Sequence, residues 1–114
     1  MRVRHLNLTV DDVEATQQFM ETYFQLQAGH KRKNFVVMYD DDGFVLTLMK
    51  GKNVQYPATF HLGFPQASRE DVDQLYQQLK EAGYQVTPPK DAHGYTFYVQ
   101  APGGFTIEVV KWYS

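Results

Sequence analysis

From His5 to Val10 the chain alternates strictly: Leu6, Leu8 and Val10 are apolar, and His5, Asn7 and Thr9 between them are polar. A period of two places the sets on opposite faces of a strand, one greasy and one polar. The period then changes. Asp11 and Asp12, with Glu14 three residues after Asp11, have the form of a capping box, and Val13, Phe19, Met20, Tyr23 and Phe24 supply an apolar stripe. A helix of about three turns is expected, ending near Phe24. Residues 25–31, 34–40 and 44–50 then read as three strands, the last two joined by the turn Asp40-Asp41-Asp42-Gly43.

After a connector, GKNVQYP at residues 51–57, the pattern begins again. TFHLGF at 59–64 reads as a strand, and Ser68-Arg69-Glu70-Asp71 is a second capping signal. Val72, Leu75, Tyr76 and Leu79 form an i, i+3, i+4, i+7 stripe that runs out at Gly83, a natural helix end. YQVTP, YTFYVQ and, after the turn APGG, FTIEVVKW supply three more strands. The chain is therefore β-α-β-β-β twice, a single domain over residues 1–114 built of repeats at about 1–50 and 58–114. HLNLTV from His5 matches HLGFPQ from His61, and GFVLTL from Gly43 matches GFTIEV from Gly104, so Thr47 is the repeat partner of Glu108. One helix covers one face of each four-stranded sheet, so the remaining faces must be shared. The expected fold is α+β: two paired repeats forming a cup-shaped, partly closed mixed sheet with the helices outside.

In the strands that open each repeat and in the last strand, the bulkier apolar set belongs to the helix side. That sends His5, His61 and Glu108 to the concave side. A buried carboxylate costs several kcal/mol unless a cation or strong donors neutralise it. Two imidazoles and one carboxylate are a ligand set for Fe(II), and suit Mn(II), Zn(II) or Ni(II) as well. His5, His61 and Glu108 are thus candidate ligands of a divalent metal ion. The competing reading of the same residues is a metal-free cup in which they contact a ligand or one another.

Composition narrows the partners. With 11 basic and 13 acidic residues and no basic run longer than Lys31-Arg32-Lys33, the electrostatic footprint of a nucleic-acid binder is missing. No apolar run approaches membrane-spanning length and the N-terminus enters a strand at once, so a cytoplasmic protein without membrane attachment is expected. There is no cysteine, hence no thiolate ligand or nucleophile. His30 and His93 fall near loops or strand ends and read as solvent-exposed residues outside the ligand set. The Asp40–Asp42 turn lacks the spacing and closing Glu of a calcium loop.

The doubled βαβββ order, the strand and helix HLNLTVDDVEATQQFMETYF, the second start FHLGF and the closing FYVQAPGGFTIEVV together resemble the vicinal oxygen chelate superfamily. It includes glyoxalase I, extradiol dioxygenases, fosfomycin-resistance proteins and bleomycin-binding proteins. The resemblance covers nearly the whole chain. It implies metal ligands on the first and last strands of the repeats, which carried over are His5, His61 and Glu108, with Thr47 at the fourth place. Glyoxalase I has a carboxylate where this chain has Thr47, so three ligands are implied here instead of four. Tyr98 stands where the fosfomycin enzymes place a substrate-contacting tyrosine. The resemblance further implies Asn7, Thr47 and Tyr98 as substrate-binding residues and Glu108 and Tyr98 as the catalytic pair. The expected activity is metal-dependent lyase, isomerase, thiol transferase or dioxygenase chemistry on a small oxygen-rich substrate, in a homodimer. The alternative is a metal-free sequestering protein of the bleomycin-resistance type.

Overall fold

The structure, a computed structural model, describes residues 1–113. The elements are β1 (His5–Val10), α1 (Val13–Phe24), β2 (Gln27–Arg32), β3 (Phe35–Tyr39), β4 (Val45–Lys50), β5 (His61–Pro65), α2 (Arg69–Glu81), β6 (Lys90–Asp91), β7 (Gly94–Ala101) and β8 (Phe105–Trp112). The described residues fall into two compact units, one of residues 1–55 with 102–104, the other of residues 56–101 with 105–113. Each holds an open four-stranded mixed sheet, in the order β1-β4-β3-β2 and β5-β8-β7-β6. The opening strand pairs parallel to the closing strand, and the other pairs are antiparallel. The doubled α+β order expected from the sequence is the observed one.

In the first unit Leu8 pairs with Leu48, and Leu48 with Val36, on one face of the sheet. All three are buried, together with Phe19 and Met20 of α1, which packs on β3 and β4. The helix starts at Asp12, whose carboxylate accepts from Ala15 N at 2.9 Å, one residue later than the box on Asp11 suggested. It stops at Gln25, in the left-handed region at φ 59°, whose N–H reaches the Met20 carbonyl.

In the second unit α2 packs on β7 and β8, with Tyr76 edge-on to Phe97 at 5.5 Å. Phe97, Val99, Ile107, Val109, Val72 and Leu79 are buried between them. Ser68 Oγ caps this helix by accepting from Asp71 N at 3.1 Å, and Gly83, at φ 91°, takes the left-handed turn that follows it. The strand expected at 84–88 is a single bridge, Val86 to Val99, and the paired segment comes later at Lys90–Asp91. Pro88 and Pro89, which have no N–H to give a ladder, separate the two.

Candidate active site

Glu108 lies mid-strand in β8, between β5 and β7, with Gly63 directly across on one side and Tyr98 on the other. His61 faces Thr106 and Thr96 faces Val110, each two residues along, so His61, Gly63, Thr96, Tyr98 and Glu108 share one face. It is the face opposite α2, whose side of the sheet is taken by Phe97, Val99, Ile107 and Val109. Alternation alone makes a polar wall of one side and a core of the other.

The Glu108 side chain is 3% exposed, and both of its oxygens are engaged. Thr96 Oγ1 donates to Oε2 at 2.6 Å and His93 Nε2 to the same oxygen at 2.5 Å. His61 Nε2 stands 3.2 Å from Oε1, and the Tyr98 hydroxyl donates toward the carboxylate as well. Burial pushes the Glu108 carboxyl up, but the bonds from Thr96 and His93, the charge of His93 and the Tyr98 bond outweigh it and hold the group below its ordinary value. Tyr98 is shifted up, first by burial and then by the Glu108 charge and hydrogen bond, so its phenol stays a donor. Its ring meets His61 edge-on at 5.6 Å.

His61 is oriented from behind. Its Nδ1 lies 3.0 Å from the Thr59 carbonyl, which can only accept, so Nδ1 carries the proton. In the neutral ring Nε2 is then a bare lone pair facing a carboxylate oxygen. Two acceptors that close need a cation between them, a proton or a metal ion. A backbone carbonyl behind one imidazole nitrogen is also how ligating histidines are commonly held. Donors at metal–ligand distances of about 2.0–2.2 Å, on neighbouring coordination positions, sit about 3 Å apart. The observed 3.2 Å agrees, so His61 Nε2 and Glu108 Oε1 fit as two ligands of one divalent ion. Among the described residues no group of three or more His, Cys, Asp or Glu is arranged to hold a metal ion. What the second unit supplies is this pair.

The first unit carries the other candidates. Asn7 faces Thr47 across the parallel pair, with His5 two residues before Asn7. The Thr47 hydroxyl donates to Asn7 Oδ1 at 2.7 Å, which commits its only proton; His5 Nε2, 3.2 Å from Thr47 Oγ1, is therefore the donor to it. The result is a directed chain, His5 to Thr47 to Asn7. So the structure brings His61, Tyr98 and Glu108 together in one unit, and His5, Asn7 and Thr47 together in the other.

His93 is the residue the sequence reading passed over. It is about half-exposed, as expected of a loop histidine, yet it holds the buried carboxylate and leans on the Trp112 ring at 5.5 Å. The neighbouring glycine puts it there. A Cβ on Gly94 would meet the Lys111 carbonyl at 2.7 Å, so only glycine lets the start of β7 press this closely on β8. His93 stands one residue outside the alternation of Gly94, Thr96 and Tyr98, where a period of two has no power to place a side chain. The local signal was the His-Gly pair opening a strand. His30, expected near a loop or strand end, is exposed within strand β2 and accepts from Arg32 Nε at 2.9 Å. Lys31, Arg32, Lys33 and Lys50 line an open cleft of about 420 Å³ against Asp11, Asp12 and Glu14, a mixed lining that selects no sign of charge.

Residues 2–109 match the model of the Glyoxalase/Bleomycin resistance protein/Dioxygenase superfamily. An uncharacterised protein of Pseudomonas aeruginosa is 30% identical, over 91% of this chain and 84% of its own length. Among solved structures, a possible glyoxalase from Bacillus cereus is 63% identical with a TM-score of 0.93, covering 96% of this chain and 98% of that one. A mutant of FosX, a fosfomycin resistance protein from Listeria monocytogenes complexed with Mn(II) and 1S,2S-dihydroxypropylphosphonic acid, is 19% identical with a TM-score of 0.85, covering 98% and 90%. At that identity the likeness speaks for the fold. With the repeated topology, the polar face of each sheet and a family match over nearly its whole length, the chain belongs to the glyoxalase/bleomycin resistance protein/dioxygenase superfamily.

Proposed function

We propose that this protein is a small divalent-metal-dependent enzyme acting on an oxygen-rich small molecule, with Glu108 and His61 as metal ligands and with His5, which would exchange its Nε2–H bond to Thr47 for the ion, as the third. The observation that carries the reading is His61, whose Nδ1–H is spent on the Thr59 carbonyl while Nε2 points at Glu108 Oε1 at 3.2 Å. The reported Mn(II) complex of FosX, on the same fold, supports a divalent ion in such a site.

A divalent ion bound there would supply Lewis-acid stabilisation of negative charge developing on a substrate oxygen. The chain's own residues do the rest. Thr96 and His93 keep Glu108 ionised and fixed against β7. Tyr98, held protonated by burial and by the Glu108 charge, gives its proton to that carboxylate and presents its hydroxyl oxygen on the site face, where it orients substrate. Asn7 and Thr47 are the substrate-orienting pair of the first repeat. Thr47 brings a hydroxyl where a second carboxylate would add negative charge, and this favours an open three-ligand centre over a closed four-ligand one. Lyase, isomerase, thiol transferase and dioxygenase reactions all use such a centre. Methylglyoxal–thiol adducts, catechols, and fosfomycin with thiols are the substrates to screen.

Metal content is the test. Metal-stripped protein is incubated with Mn, Fe, Zn, Ni and Co, freed of excess ion, and its metal and melting temperature are measured. One ion per chain is expected. At free metal 100 times Kd, binding adds about 2.7 kcal/mol of stability. His61→Ala and Glu108→Gln should lose both effects, and His5→Ala should weaken them if His5 is the third ligand. A wild-type protein that retains no ion and shows no thermal shift would replace this reading with that of a metal-free small-molecule sequestering protein.

A further inference from the structure

We propose that His93 is a positioning residue that, with Thr96, fixes Glu108 as a one-oxygen ligand. The inference rests on the reading of Glu108 as a metal ligand and names a role for a histidine outside that ligand set. Oε2 accepts from Thr96 Oγ1 at 2.6 Å and from His93 Nε2 at 2.5 Å, which fills its two lone-pair directions. Oε1 remains, 3.2 Å from His61 Nε2 and within the reach of the Tyr98 hydroxyl that donates to the same carboxylate. A free carboxylate can close on a divalent ion through both oxygens; one with Oε2 doubly bonded cannot do so without breaking two charge-assisted bonds. A divalent ion held there would thereby keep one more position available for substrate.

The two donors differ in kind. Thr96 is buried, on the central rows of the sheet, and its hydroxyl is also 3.1 Å from the Val109 carbonyl, so its place is set by the ladder. His93 comes from the bend between β6 and β7, its side chain 46% exposed, with the Ala92 N–H bonded to the Gly94 carbonyl across it. A group this exposed contributes little to the fold by pairing with Glu108. What it governs is where the second oxygen of Glu108 points. Partners behind a metal ligand typically change metal affinity by about 10–100-fold when removed.

The experiment titrates metal-stripped wild type, His93→Ala, His93→Gln and Thr96→Val with Co(II), reading Kd and the visible absorption of the bound ion, with melting temperatures of the metal-free proteins alongside. His93→Ala is expected to weaken Co(II) binding by about 10-fold or more and to change the intensity of the cobalt bands as the freed oxygen adds to the ion. Gln presents an N–H at similar reach, so His93→Gln should restore both the Kd and the spectrum. Thr96→Val should alter the spectrum in the same sense. Wild-type affinity and spectrum in His93→Ala overturn the proposal and leave the metal site standing. A lowered melting temperature with unchanged affinity likewise overturns it, by making His93 merely structural. A wild-type protein that binds no Co(II) overturns the metal reading itself, and the positioning role with it.

Discussion

The two units run the same backbone with different chemistry at matched positions. His5 and His61 open them; Asn7 in one occupies the place of Gly63 in the other, Thr47 that of Glu108, and Val37 that of Tyr98. In the first unit the three polar residues satisfy one another, His5 to Thr47 to Asn7. In the second, Gly63 offers Glu108 no polar group, and the partners of the carboxylate come from farther off: His61 at 3.2 Å, Thr96 on the strand and His93 beyond it. The difference teaches that duplication supplies the scaffold twice. Substitution at a few positions on the polar face then gives each unit its own side-chain network.

If the scaffolds are equivalent, matched core truncations should cost alike. Leu46 and Ile107 are repeat partners on the helix side of their closing strands, 3% and 0% exposed. Leu46→Ala and Ile107→Ala should each destabilise by about 2–5 kcal/mol, from lost transfer energy plus the cavity left behind. Urea unfolding of both variants measures this, and a severalfold disparity would break the equivalence of the two cores.

The next effect separates the chemistry. Glu108→Thr installs the first unit's residue in the second and should abolish metal retention. It should also cost the metal-free protein about 1–3 kcal/mol, since Thr96, His93 and His61 lose a charged partner. The same carboxylate sets an acid limb. Its folded pKa is depressed below the ordinary 4.5, so its contribution is complete above that value and is lost as pH falls through the lower folded one. Wild-type stability should decline there on acidification, and Glu108→Gln should flatten the decline. A limb of the same steepness in both proteins would assign it to other carboxylates.

Smaller still is the cost of unlinking the first unit. Thr47→Val keeps volume and removes the hydroxyl that joins His5 to Asn7, both exposed enough for water to take its place. About 1 kcal/mol is expected by chemical denaturation. A loss as large as that of Glu108→Thr would mean that the two polar faces are under equal demand.

How much of this was legible in the sequence depended on whether a residue obeyed a period. The alternation of HLNLTV and FTIEVVKW put His5, Asn7 and Glu108 on the faces they occupy, and the repeat identified Thr47 as the partner of Glu108. Helix starts were readable to within a residue, because Asp11 and Asp12 offer the same cap and only the backbone chooses. The strand expected at 84–88 shrinks to a single bridge because apolar spacing does not register that Pro88 and Pro89 break the ladder. His93 escaped for the converse reason: its place comes from how closely Gly94 lets one strand approach another, a fact about packing that leaves no periodic trace.

The smallest predicted effect has the opposite sign from the rest and bears most directly on what the second unit left room for. A side chain at Gly63 would meet nothing within 4 Å, and the residue does not need the left-handed backbone that glycine alone adopts easily. Gly63→Ala should therefore stabilise the fold by about 0.4–1 kcal/mol by narrowing the unfolded ensemble. If structure were the only demand on this position, glycine would be a poor choice mid-strand, where it weakens pairing and packs nothing. Its place directly across from Glu108, where the first unit has Asn7, supplies the other demand: space on the site face next to the carboxylate. Gly63→Ala should thus leave metal retention intact and raise KM for the substrate, and Gly63→Asn should raise it further. Unchanged KM in both variants would show that substrate approaches Glu108 from elsewhere, and the asymmetry between Asn7 and Gly63 would lose its functional meaning.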